Sequence, residues 1–108
     1  MVADPRMVKI PFRVQFREAL LSGQKTATSR FQRYGNPLDN FQAFGATFEI
    51  LAVSQITLYE VAASEYKAEG FSCPLDFLEV WERIHPRRKV DEYTEVWFHV
   101  FRRLPDAH

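Results

Sequence analysis

The chain has 108 residues and a mass of 12.7 kDa, and its 14 basic side chains balance 14 acidic ones. That length suits one domain around one core, and 46% apolar residues are enough to build it. A net charge of zero excludes a histone-like polycation and an acidic disordered tail, but leaves room for a local basic groove. Cys73 is the one cysteine, which excludes an intrachain disulfide and the Cys-rich zinc modules. Met1 to Arg6 carries no apolar leader, and no run approaches a membrane span. The expectation is a soluble protein of a reducing cytoplasm, with no membrane partner.

In chain order, Val8 to Phe12 reads as a short strand. Phe12, Phe16, Ala19 and Leu20 then fall at helical spacing, which predicts a helix from about Arg13 to Ser22. Gly23 stands where a left-handed C-terminal residue is needed. Thr26 to Phe31 alternates and is rich in Thr, so it reads as a strand. Gln32 to Gly45 carries the turn formers Gly35, Asn36, Pro37, Asp39, Asn40 and Gly45, and reads as one long loop. Its length and its aromatics Tyr34, Phe41 and Phe44 predict a packed wall or lid over a site.

Thr47 to Leu58 is the longest β-type run. Tyr59 to Glu69 turns helical and stops at Gly70. Pro74 opens a second helix with Phe77, Val80, Trp81 and Ile84 as its apolar stripe, ended by Pro86. Thr94 to Phe101 is apolar on both faces, as a central strand would be. The order is β-α-β-β-α-α-β. It predicts an α+β domain: a small barrel or curled sheet of five or six strands with two or three helices.

The informative segment is Gly23-Gln24-Lys25-Thr26-Ala27-Thr28-Ser29-Arg30. It is not a phosphate-binding loop, because Gln24 rather than Gly precedes Lys25. Thr26, Thr28 and Arg30 share one strand face, which must meet water or a polar cavity, and Lys25 can reach the same cavity.

Gly23-x-Lys25-x-x-Thr28-x-Arg30, following an amphipathic helix with Phe16, Leu20 and Leu21, resembles the signature of the ASCH (activating signal cointegrator homology) domain. Two further blocks resemble the same family in the same order. One is Tyr66-x-x-Glu69-Gly70-Phe71 before a helix holding Trp81 and ending Ile84-His85-Pro86; the other is a last strand from Val96 to Phe101. The resemblance spans roughly Ile10 to Leu104 and implies a PUA-like β-barrel. Many members carry Glu where this chain has Thr28. A subgroup similar to bacterial N(4)-acetylcytidine amidohydrolases carries Lys, Thr and Glu at the positions of Lys25, Thr28 and Glu69, and all three match.

The resemblance therefore implies a metal-independent amidohydrolase, without a cofactor, acting on a linear amide of an acylated nucleoside. Lys25, Thr28 and Glu69 would be its catalytic residues. Arg30, Thr26, Arg33 and Tyr34 would bind substrate.

The chemistry is open at one point. A Thr hydroxyl needs a base, and Lys25 serves only if burial lowers its pKa. An ionised Glu69 beside it works the other way, so either residue is a candidate base. The residues alone also allow Lys25, Arg30 and Glu69 to be an ion-pair plug in the barrel mouth. A rival function is an RNA-binding or RNA-processing module, with Arg30, Arg33 and Tyr34 meeting a base and a phosphate. His99 reads as a hydrogen-bonded core residue, and His85 as a favourable cation at a helix end. Glu65 and Arg87-Arg88-Lys89 read as solvated, and Tyr66 and Cys73 as packing.

Overall fold

The structure is a computed structural model that describes residues 5–106. Residues 1–4, part of the segment read for a leader, lie outside the described residues. The first turn, Val14–Phe16, is 3₁₀ and runs into α1, Arg17–Ser22. Gly23 ends α1 with φ 84°, and its N–H bonds back to the Leu20 carbonyl. β1 is Ala27–Arg30, β2 is Asn40–Ala43 and β3 is Ala46–Thr57. α2, Leu58–Ser64, is capped by the Thr57 hydroxyl, which accepts from the Glu60 amide. α3 is Pro74–Ile84, and β4 is Glu95–Arg103.

Among the described residues, four strands form one antiparallel sheet in the order β1-β4-β3-β2. It curls as a half-barrel, with fewer strands than the five or six expected. The expected strand from Val8 to Phe12 is absent. Met7 makes a single bridge to Asn40, the Val8 amide donates to the Asn40 carbonyl, and Pro11 has no N–H with which to continue a ladder. The expected loop from Gln32 to Gly45 contains β2. A two-residue turn, Phe44-Gly45, closes it onto β3, with both residues at positive φ. Positive φ is uncommon for Phe, so the turn carries only half of the usual hairpin signal. α2 is also shorter than read: beyond Ser64 the chain continues as turns to Gly70.

The sheet separates two apolar clusters. One gathers Val8, Ile10, Leu20, Phe41, Phe48, Ile50 and Phe101; the other gathers Ala27, Leu58, Val61, Phe77, Trp81, Val96 and Phe98. β4 feeds both because its side chains alternate: Val96 and Phe98 point into the second cluster, Phe101 into the first. It is central, as its two apolar faces predict. Along β3 the register slips between Ile50 and Ala52, which ends the run of inward residues Ala46, Phe48 and Ile50. Among the described residues, no helix is long and apolar enough to cross a membrane.

His99 pins these layers together. It is fully buried; its Nε2 accepts from the Tyr34 amide at 3.1 Å, and its Nδ1 faces the carbonyls of Trp97 at 3.0 Å and Thr28 at 3.3 Å. An acceptor at Nε2 requires the proton on Nδ1, so the ring is neutral. Burial pushes its pKa below the ordinary 6.5; the two carbonyls oppose this, and Arg30 and Arg33 reinforce it. The folded state thus prefers the neutral ring, and the unfolded chain takes up the proton first as pH falls. Stability from His99 is complete above 6.5 and declines as pH drops below it. His99→Phe strands the Tyr34 amide and should cost about 2–3 kcal/mol at pH 7.5. Urea titrations at pH 7.5 and pH 5.5 should show a smaller acid loss in the variant than in the parent; equal acid losses would contradict the assignment.

Candidate functional site

The site is built where the sheet ends. β1 is an edge strand, so its outer side has no strand to pair with. The turn after α2 covers part of that side: the Ala68 carbonyl accepts from the amides of Thr26 at 2.7 Å and Ala27 at 3.0 Å. This places Glu69 against Lys25. The Lys25 Nζ donates to Glu69 Oε1 and to the Glu69 carbonyl, both at 3.0 Å, and each residue is only 3% exposed. Gly70 makes the approach possible. Its φ is 98°, and a Cβ there would lie 3.2 Å from the Lys25 Cβ.

Beyond this turn the edge of β1 opens on a cavity of about 330 Å³. Lys25, Thr28, Ser29, Arg30 and Glu69 line it together with Arg13 and His85. Phe12 and Phe16 wall it on one side, and Phe71, Phe77, Trp81 and Ile84 on the other. Because the cavity straddles a strand edge, side chains from both faces of β1 reach it. Ser29 belongs to the face of Ala27, while Thr28 and Arg30 belong to the opposite face.

The two hydroxyls have opposite partners. Ser29 Oγ donates to Glu69 Oε2 at 2.7 Å. Thr28 Oγ1 instead accepts from Arg30 Nε at 3.1 Å. The guanidinium also donates to the Pro11 carbonyl at 2.6 Å and lies 4.8 Å from the Phe12 ring and 5.5 Å from the Tyr34 ring. Burial pushes the Lys25 pKa down; Glu69 opposes this by charge and by its hydrogen bond, and Arg30 adds to it.

Lys25, Thr28, Glu69 and Arg30 thus line one cavity, although Glu69 comes from a segment forty residues away from Ser29. Thr26, Arg33 and Tyr34 do not line it. Thr26 is held through its backbone by Ala68 and Phe101. Arg33 donates to the Gly35 carbonyl and stacks on Trp97 at 5.3 Å, and Tyr34 lies behind Arg30. The expected lid is also absent from the lining: Tyr34, Phe41 and Phe44 pack on the first core cluster. The walls come from residues 11–16 and from α3. His85 is not the expected helix-end cation. Burial, together with Arg88, Arg13 and Arg30, pushes its pKa down against a raising contact with the Trp81 carbonyl, and its ring stacks on Trp81 at 4.2 Å.

No family model and no curated protein matches this sequence. A crystal structure of the ASCH domain from Lactobacillus crispatus JV V101 does match in three dimensions, with a TM-score of 0.70 over 92% of this chain and 79% of that one. The chain has the ASCH-domain fold. At 13% identity the likeness lies in the backbone path.

Sequence reasoning missed Ser29. No local signal marks it, because its partner Glu69 comes from a segment forty residues away. It also missed Phe71 and Phe77 as cavity walls. Two stability experiments check the cluster. Lys25→Met and Glu69→Leu should each cost about 3–5 kcal/mol, because each strands a buried charge, while the double variant should cost less than either alone. Gly70→Ala should cost about 1–3 kcal/mol through its backbone angle and its contact with Lys25. Additive losses in the double variant would show that the two side chains do not depend on each other.

Proposed function

We propose that the protein is an amidohydrolase that removes the acyl group from N(4)-acetylcytidine or a related acylated nucleoside. The observation that supports this most is a half-open cavity that combines aromatic walls with Lys25, Thr28, Ser29 and Glu69 in one small volume. Its volume lies at the small end of the range of roughly 300–1,000 Å³ typical of small-molecule sites. Its lining is rich in aromatic side chains, which suits a flat base. The same lining holds the hydroxyls of Thr28 and Ser29, the Glu69 carboxylate and the cations Lys25 and Arg30, with Arg13 and His85 also on it.

Amide hydrolysis needs three things from such a lining. A nucleophile must attack the carbonyl carbon, a group must carry its proton to the leaving nitrogen, and donors must meet the oxyanion. Glu69 is suited to the proton transfer, since one oxygen is held by Lys25 and the other meets a hydroxyl. Lys25 has Glu69 as its partner at both of its hydrogen bonds, so its ammonium orients the carboxylate. Arg30 lines the cavity and adds a positive charge there, held by the Pro11 carbonyl. The RNA-binding reading is less favoured, because Arg30 is packed between Phe12 and Tyr34, and Arg33 lies on Trp97 away from the cavity.

Incubation with N(4)-acetylcytidine should release cytidine and acetate, separable by chromatography. Glu69→Gln should lower the rate by about 10²-fold or more while the fold survives. Absence of cytidine from the parent protein, together with tight binding of single-stranded RNA, would favour the rival.

A further inference from the structure

Ser29, a residue to which the family resemblance assigns no role, meets the geometric requirements for the attacking group. An activated hydroxyl has its proton directed at a base, and that base is held by a third group. Ser29 Oγ donates to Glu69 Oε2 at 2.7 Å, Glu69 Oε1 accepts from Lys25 at 3.0 Å, and all three residues are at most 5% exposed yet line the cavity. Thr28 has the reverse arrangement: a guanidinium N–H occupies one of its oxygen lone pairs, which withdraws electron density from the atom that would attack. We propose that Ser29 is the nucleophile of this cavity, with Glu69 as its base and Lys25 as the residue that positions Glu69.

The step balances on these groups. Ser29 Oγ bonds to the amide carbonyl carbon as its proton passes to Glu69 Oε2, and the carbonyl π pair moves to oxygen. The Ser29 amide is placed to meet that oxyanion, because along β1 it points to the same side as the Ala27 amide, which faces away from β4. Collapse breaks the C–N bond, and Glu69 returns the proton to the leaving nitrogen. An acyl ester remains on Ser29. Water then attacks it, giving its proton through Glu69 back to Ser29 Oγ and releasing the carboxylic acid. Thr28 keeps a positioning role through Arg30.

This inference rests on the hydrolase reading, so its test uses two acyl donors. The first is N(4)-acetylcytidine. The second is p-nitrophenyl acetate, an activated ester that acylates a reactive hydroxyl whatever the natural substrate is. After acid quench, intact-mass analysis and peptide fragmentation should find one acetyl group on Ser29, released by hydroxylamine as an ester is and a lysine amide is not. Thr28→Val, which releases Arg30, should slow acylation but still place the adduct on Ser29. Ser29→Ala should lose it and lower turnover of either donor by about 10³-fold, and Ser29→Thr, which retains an oxygen, should fold like the parent and recover part of the rate. An adduct on Thr28, no hydroxylamine-labile adduct in the parent, or full turnover by a folded Ser29→Ala would overturn the proposal. Acylation of Ser29 by the activated ester with no release of cytidine from N(4)-acetylcytidine would overturn the substrate reading alone and leave Ser29 as the nucleophile.

Discussion

Removing an ammonium and a carboxylate from water is costly, and this fold does both at the free edge of its sheet. Lys25 and Glu69 are nearly inaccessible, and each supplies what the other lost: two hydrogen bonds run from the ammonium to one residue, and the second carboxylate oxygen takes the Ser29 hydroxyl. Such a pair tolerates little displacement. It requires the turn after α2 to approach β1 closely, which the Ala68 carbonyl and the bare backbone of Gly70 permit. The path of the chain between α2 and α3 follows from that contact.

The unpaired edge explains why a cavity exists at all. A strand edge usually has to be paired, covered or charged. Here the turn covers its first residues, and residues 11–16 and α3 stand on either side of the rest without closing over it. The two apolar clusters lie on opposite faces of the sheet, so the gap between them is aromatic-walled and floored by the edge strand. Adjacent residues of β1, which point to opposite faces, therefore reach one volume. This is how Thr28 and Ser29 share a site while having partners of opposite charge.

Much of the chain was legible. α1 with its glycine stop, the long β3, the proline-led α3 and the central β4 all carry local signals strong enough to read. The losses have specific causes. β2 is four residues long and its turn has Phe44 at positive φ, so the hairpin resembled a loop. Val8 to Phe12 has the composition of a strand but finds one bridge in place of a ladder. The lid was inferred from loop length and aromatics, which show that a segment packs but not against what. Of the binding residues expected beside Arg30, Thr26 is anchored by its backbone, and Arg33 and Tyr34 turn to Trp97 and His99.

The sequence by itself determined the helix and strand periods, the glycine and proline punctuation, and a basic strand entry whose residues resemble those of a known family. These are local properties, set by backbone sterics and side-chain alternation within a few residues. It also made Thr28 the prominent hydroxyl, because Thr28 matches the threonine of the subgroup that the chain resembles. Only the tertiary structure decided which hydroxyl meets the carboxylate. Glu69 reaches β1 from the far side of the chain, so its partner depends on strand order, on which edge stays open and on how closely a glycine turn docks there. None of these is a function of residues near Ser29 in sequence, which is why its contact with Glu69 could not be read before the sheet was assembled.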